Sequence, residues 1–158
     1  MPMYKEHLFG GFASGMVLLF LVANYLAKNS MPIVTSMEWM MFAFAGSLFP
    51  DIDIKSKGQK LFYWIIVGLV GLSIYKGHLN LALYLALFSI LPMLVRHRGI
   101  FHATWFVVAV PISGAVIAAA YLPAYRYSLF YDAAFFIAGA LSHLIMDFGV
   151  KGLVRSRR

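Results

Sequence analysis

Long apolar runs separated by short polar segments make up most of the chain. A helix needs about 20 mostly apolar residues to cross a bilayer. The runs that approach this length are 8–27, 33–49, 61–75, 79–95, 100–122 and 129–150. The third and fourth runs are short and are separated by Lys76-Gly77-His78, which predicts a tight hairpin, with a re-entrant pair as the alternative. The pattern predicts an all-α transmembrane helical bundle with six spans.

Composition supports a lipid-facing surface. Hydrophobic residues make up 62% of the 158 residues and charged residues only 12%, whereas ordinary globular domains carry about 25% charged residues. The polar residues are too few to cover a water-facing exterior. Because the linkers are brief, we predict a single transmembrane domain over 1–158.

The basic residues predict the orientation in the membrane. Three lie on one side of the predicted bundle, namely Lys28, Lys76 and Arg126, and ten lie on the other, namely Lys5, Lys55, Lys57, Lys60, Arg96, Arg98, Lys151, Arg155, Arg157 and Arg158. The positive-inside rule then places both termini in the cytoplasm. Since these cations cluster between apolar runs, the net charge of +7 reflects topology, and we predict no nucleic-acid partner.

The candidate chemistry lies at the same predicted face. The chain has no cysteine, so a transition-metal site must use nitrogen and oxygen ligands. Seven His and Asp residues fall near the predicted cytoplasmic ends of the runs: His7, Asp51, Asp53, His97, His102, His143 and Asp147. The topology rests on Lys and Arg alone, so this clustering is independent support for a shared site. Ionisable side chains in a membrane are costly and usually functional.

Local spacing also fits metal binding. His143 and Asp147 are four residues apart, which places them about 40° apart on one helix face. Asp51 and Asp53 follow Pro50, which favours a turn or a helix start. We expect Gly99 to break the helix, leaving His97 in the loop and His102 in the first turn of the fifth helix. Each motif alone has a plainer interpretation. His143 and Asp147 could make a structural hydrogen bond, Asp51 and Asp53 could cap a helix, and the loop 97–102 could anchor to anionic headgroups.

The ligand set predicts a divalent metal. Imidazole and carboxylate without sulfur suit zinc, manganese, iron or nickel, and we expect zinc first. Catalytic zinc usually takes three protein ligands, so seven candidates are enough for two ions. Paired ions are a common device for phosphoester hydrolysis.

The ordered set of His7, Pro50-Asp51-Ile52-Asp53, His97-Arg98-Gly99-Ile100-Phe101-His102 and His143-Leu144-Ile145-Met146-Asp147 resembles the YdjM-type family. These are small inner-membrane proteins classed as metal-dependent hydrolases, and the resemblance covers nearly the whole chain. It implies a location in the inner (plasma) membrane. Zinc-dependent phospholipase C enzymes share a looser similarity through their H-x-x-x-D/E pair.

The chain departs from the family pattern at three places. Ile54 stands where the family often has a histidine, and Phe101 and Ala103 stand where it often has hydroxyl residues. Such partners orient ligands and tune a metal. The departures bear on metal preference and rate.

We therefore predict a membrane-embedded metal-dependent hydrolase of a phosphoester, such as a phospholipid headgroup, that uses a metal-activated water at the cytoplasmic interface. Asp51 or Asp53 would act as the general base. Arg98, with Arg96 or Lys55 nearby, would bind the phosphate. Two alternatives stay open, which are a transporter of a metal or other ion and a non-catalytic, metal-stapled protein that binds lipid or a partner.

Overall fold

The computed structural model describes residues 4–26, 32–94 and 99–154, the last four of these as backbone only. Within these residues the chain is helical almost throughout and has no strand. The α-helices are α1 (Tyr4–Leu21), α2 (Ile33–Leu48), α3 (Lys57–Tyr75), α4 (Leu79–Leu94), α5 (Thr104–Tyr121) and α6 (Arg126–Val154). The predicted all-α fold is confirmed.

The lengths of the helices bear on the number of spans. Among the described residues, the segments long and apolar enough to cross a membrane are Tyr4–Leu26, Lys57–Tyr75, Thr104–Tyr121 and Pro123–Val150. The apolar helix Leu79–Leu94 is shorter. With its 16 residues, α2 is about 24 Å long, against a hydrocarbon core of about 30 Å. Six spans and cytoplasmic termini therefore stay predictions.

Helix α6 lies at the centre of the bundle. It packs against α1, α2 and α5, and α1 also packs against α2. The other two helices, α3 and α4, pack against each other, and α3 also contacts the short 3₁₀ turn Phe49–Asp53. Gly77 has a φ of 77° in the connection between α3 and α4, a conformation that glycine adopts at little cost. The predicted hairpin at 76–78 is confirmed.

The backbones of α2 and α6 touch where the two helices cross. A Cβ atom on Gly46 would overlap the carbonyl oxygen of Phe136, and one on Gly139 would overlap the carbonyl oxygen of Ala43. Gly11 lets α1 approach in the same way, because its Cβ would lie 2.7 Å from Ser47 Cβ. Small residues allow such close packing of helices in lipid, where no hydrophobic effect drives association.

Two apolar clusters fill the bundle, while the outer surface is also apolar. One cluster contains Phe49, Ile52, Phe101, Phe106, Val107, Ala140 and Leu144. The other contains Val22, Trp39, Ala43 and Phe135. Large apolar side chains such as Phe9, Trp64 and Leu83 are exposed on the outside. This arrangement suits a chain whose surroundings are lipid.

One predicted boundary is wrong. His102 was expected in the first turn of the fifth helix, but it ends a separate 3₁₀ turn, Ile100–His102. Ala103 has an extended backbone, with φ −81° and ψ 125°. This residue interrupts the helical path, so α5 begins only at Thr104.

Replacing Gly46 by alanine should destabilise the bundle, because the added methyl group would force α2 away from α6. We expect the free energy of unfolding to fall by about 1–3 kcal/mol, as for other overpacked sites. Thermal unfolding in detergent, followed by circular dichroism, measures this. Gly68→Ala is the matched control, because a Cβ there would have no atom within 4 Å. Equal stability of the two variants would contradict the close crossing.

Candidate metal centre

Five of the seven predicted ligands meet at one end of the bundle. His7 lies in the first turn of α1, and Asp51 lies in the 3₁₀ turn after α2. His102 ends the turn before α5, and His143 and Asp147 lie on α6. Four separate segments of the chain therefore supply the cluster, which we call the His/Asp centre.

The nitrogen and oxygen atoms of the centre are almost equally spaced. His143 Nε2 lies 3.6 Å from Asp51 Oδ1 and 3.7 Å from Asp147 Oδ2. His102 Nε2 lies 3.7 Å from each of the same two oxygens. These separations exceed the 2.7–3.2 Å of ordinary hydrogen bonds. The side chains converge without bonding directly to one another.

The spacing fits a shared cation. Neighbouring ligands of a tetrahedral zinc ion, with bonds of about 2.0–2.2 Å, lie about 3.3–3.6 Å apart. Two sets of three residues have ligand atoms that all lie within 4.8 Å of one another and could hold one ion together. One set is His7, His143 and Asp147, and the other is Asp51, His102 and His143. The donor chemistry and the geometry therefore both fit a divalent metal.

His143 is held in the orientation that a metal ligand needs. Its Nδ1 lies 2.7 Å from the backbone oxygen of Ser47. A carbonyl oxygen only accepts, so Nδ1 carries the proton and the lone pair is on Nε2. His143 is fully buried, and among the described residues its Nε2 has no hydrogen-bond partner. A metal-binding histidine usually donates its other ring N–H to an oxygen such as a backbone carbonyl, and this hydrogen bond fixes the orientation of the ring.

Asp147 lies close to three imidazoles. Its Oδ2 faces His102 and His143, while its Oδ1 lies 3.7 Å from His7 Nε2. The His7 and His143 rings are stacked, with centroids 3.7 Å apart and planes 13° from parallel. Neutral imidazoles, the form that binds metal, stack in this way without charge repulsion. Asp147 can thus bind one ion through both oxygens or bridge two.

A hydroxyl group fixes the turn that carries Asp51. Ser56 Oγ donates to the backbone oxygen of Asp51 at 2.7 Å and accepts from the backbone N–H of Gln59 at 3.0 Å. Ser56 is also the N-cap of α3. The turn is thereby joined to the start of α3. Neither Ser56 nor the Ser47 carbonyl was predicted from the sequence. Ser-x-x-Gln is a recognisable helix-start signal, whereas a backbone carbonyl has no side-chain signal.

An aromatic contact holds the turn that carries His102. The ring of Phe101 is fully buried and meets Phe49 edge to face at 5.6 Å. The His102 ring meets Phe148 of α6 edge to face at 5.9 Å. Apolar packing at Phe101, one of the positions where the chain departs from the family pattern, therefore joins the two ligand-bearing turns.

The remaining predicted site residues are Asp53, His97 and Arg98. Asp53 is half-buried at the end of the 3₁₀ turn, and neither set of metal-binding atoms found among the described residues includes it. His97 and Arg98, like Arg96, lie outside the described residues. Their predicted roles stay predictions.

Another buried carboxylate lies away from the centre. Asp132 is on α6, eleven residues before His143, which corresponds to about 16 Å along the helix. It is buried, and its Oδ1 has no hydrogen-bond partner among the described residues. It lies at a different height along the helix axes and is not part of the His/Asp centre.

Replacing His143 by alanine should abolish metal binding, because this side chain belongs to both sets of candidate ligands. Elemental mass spectrometry of the purified protein measures the metal content directly. His78→Ala is the control, since His78 is exposed beside the turn between α3 and α4. Wild-type metal content in the His143 variant would show that the centre does not hold the ion.

Residues 3–153 match the family model described as YdjM inner membrane protein. No curated protein and no solved structure shows a significant match to the chain. The apolar helices and the family together make this an integral membrane protein. The chain belongs to the YdjM inner membrane protein family.

Proposed function

We propose that this protein is a metal-dependent hydrolase that cleaves a phosphoester of a membrane phospholipid at the cytoplasmic face of the membrane. The observation that carries the proposal is the His/Asp centre itself. Three imidazoles and two carboxylates converge within a chain of which only 12% is charged. Such groups are costly in a membrane unless they bind something.

Zinc is the ion that we propose first, with manganese or iron as the other candidates, and one or two ions bound. A divalent cation bound here would activate water and neutralise the charge that develops on a phosphoryl group. His143 and Asp147, together with His7 or with His102, would hold such an ion. The side chains of these four residues are at most 4% exposed, so water would compete little for their ligand atoms.

Asp51 is the carboxylate placed to act as general base. Its side chain is 22% exposed, against 4% for Asp147. It is therefore partly exposed on one side and faces the imidazoles of His102 and His143 on the other. A base needs this position, because it must reach the attacking water and then release the proton. Asp147 is enclosed and suits the role of ligand.

Lysines beside the centre can bind the phosphate. Lys55 and Lys57 are exposed and follow the Asp51 turn. Lys57 Nζ lies 3.9 Å from the centre of the Tyr4 ring, one helical turn before His7. This contact keeps a positive charge near the entrance of the site. Arg98, predicted from sequence as the phosphate ligand, would add to these charges.

The exposure of Asp51 favours catalysis over the two alternatives. A metal that only stabilises a fold usually has all its positions filled by protein in a closed site, whereas the rim at Asp51 is open. Transporters usually place their ion site near the bilayer midplane, whereas the His/Asp centre lies towards one end of the bundle. No feature of this geometry specifically favours the transporter or the non-catalytic protein.

Asp51→Asn should lower phospholipid hydrolysis by at least about 100-fold, the usual contribution of a general base, while most of the bound metal remains. Asp147→Asn should lose metal and activity together. Release of the phosphorylated headgroup from detergent-solubilised phospholipid, with zinc added, measures the rate. Glu38→Gln, an exposed carboxylate on α2, is the control. Loss of metal in the Asp51 variant with full retention in the Asp147 variant would reverse the assigned roles.

The orientation can be tested with single cysteines, since the chain has none. A cysteine at Lys55 should react with an impermeant maleimide only when the cytoplasmic side is opened. A cysteine at His78 should react in intact cells, because the α3–α4 turn lies at the other end of a helix about 28 Å long. Labelling of Lys55→Cys in intact cells would place the centre on the outer face.

A further inference from the structure

We propose that a groove between α1 and α6 binds an acyl chain of the phospholipid whose phosphate lies at the His/Asp centre. This inference rests on the proposed function and adds where the substrate's apolar part is held. The groove has a volume of about 500 Å³, within the range of about 300–1,000 Å³ typical of ligand pockets. Gly10, Ala13, Val17 and Leu21 line it from α1, and Ala138 and Met146 line it from α6.

The hydroxyl groups of the two serines in the groove already donate their hydrogens within the protein. Ser14 Oγ donates to the backbone oxygen of Gly11 at 3.1 Å, and Ser142 Oγ donates to that of Gly139 at 2.7 Å. Both hydroxyls line the groove but bond within their own helices. The remaining lining residues are apolar or glycine. An apolar occupant is therefore favoured.

One end of the groove lies beside the His/Asp centre. Gly10 is three residues from His7 on α1, and Met146 is next to Asp147 on α6. At this end the two helices come close, since a Cβ on Gly10 would lie 2.7 Å from Met146 Sδ. A molecule whose polar end is held at the centre can therefore lay its apolar end in the groove.

The length of the groove matches one leaflet. From Gly10 to Leu21, α1 rises about 16 Å. Half of a hydrocarbon core of about 30 Å is about 15 Å. A lipid whose phosphate lies at the depth of the centre would therefore have its acyl chain alongside the groove over nearly its whole length.

A photoactivatable phosphatidic acid with a diazirine in the middle of its acyl chain tests this directly. It is added to the zinc-loaded, detergent-purified protein, and the labelled residues are mapped by mass spectrometry. We expect labels on the groove faces of α1 and α6. Ala13→Trp should lower this labelling at least about tenfold, equivalent to a loss of about 1.4 kcal/mol of binding. Ala86→Trp, an exposed alanine on α4, is the matched control and should leave it unchanged.

A diacylglycerol probe with the same chain distinguishes a substrate site from lipid that merely surrounds the protein. We expect much weaker labelling by this probe, because it lacks the phosphate held at the centre. Equal labelling by both probes, or labels spread evenly over the lipid-facing helices, would overturn the proposal. Cross-linking to a second copy of the chain within the groove would also overturn it.

Measurements of metal content and of hydrolysis distinguish a failure of this proposal from a failure of the proposed function. Ala13→Trp should retain its metal and cleave a water-soluble short-chain phosphoester at the wild-type rate, while losing activity on the long-chain lipid. Equal loss of activity on both substrates would contradict a role confined to the acyl chain. Groove labelling by phosphatidic acid in a protein that hydrolyses neither substrate would support the groove and refute the hydrolase alone.

Discussion

The contact between the backbones of α2 and α6 at Gly46 and Gly139 determines the position of the whole His/Asp centre. In lipid, helices associate through close packing, and a side chain at either glycine would overlap a carbonyl oxygen of the other helix. The residue after Gly46 is Ser47, whose carbonyl oxygen accepts a hydrogen bond from His143 Nδ1. The same crossing that packs the helices thus selects the His143 tautomer with a free Nε2.

The remaining ligands depend on apolar anchors. Asp51 and His102 lie on short 3₁₀ turns, and each turn buries an aromatic ring in a shared cluster, Phe49 from the first and Phe101 from the second. In each turn the ligand lies within two residues of the buried aromatic ring. The hydrophobic interior therefore fixes the spacing of the polar atoms. Helix α6, at the centre, supplies both His143 and Asp147 from one face.

Much of the arrangement could be predicted because few ionisable residues lie along an otherwise apolar chain. Their positions relative to the apolar runs were enough to group His7, Asp51, His102, His143 and Asp147. The choice between Asp51 and Asp53 could not be predicted, because it depends on the winding of a five-residue turn. The extended backbone at Ala103, which separates His102 from α5, likewise follows from local packing. Glycines on α1 and α3 resemble each other in sequence, yet a Cβ on Gly11 meets α2 while one on Gly68 meets nothing.

The distribution of the ligands along the chain has a consequence for biogenesis. His7 is in the first helix, whereas His143 and Asp147 are in the sixth. A chain emerges from the ribosome from its N-terminus, so α1 enters the membrane well before its partners exist. His7 stays without His143 and Asp147 until α6 has been made. Synthesis and membrane insertion therefore impose an order in which the centre is completed last, and a partly made chain carries no assembled site.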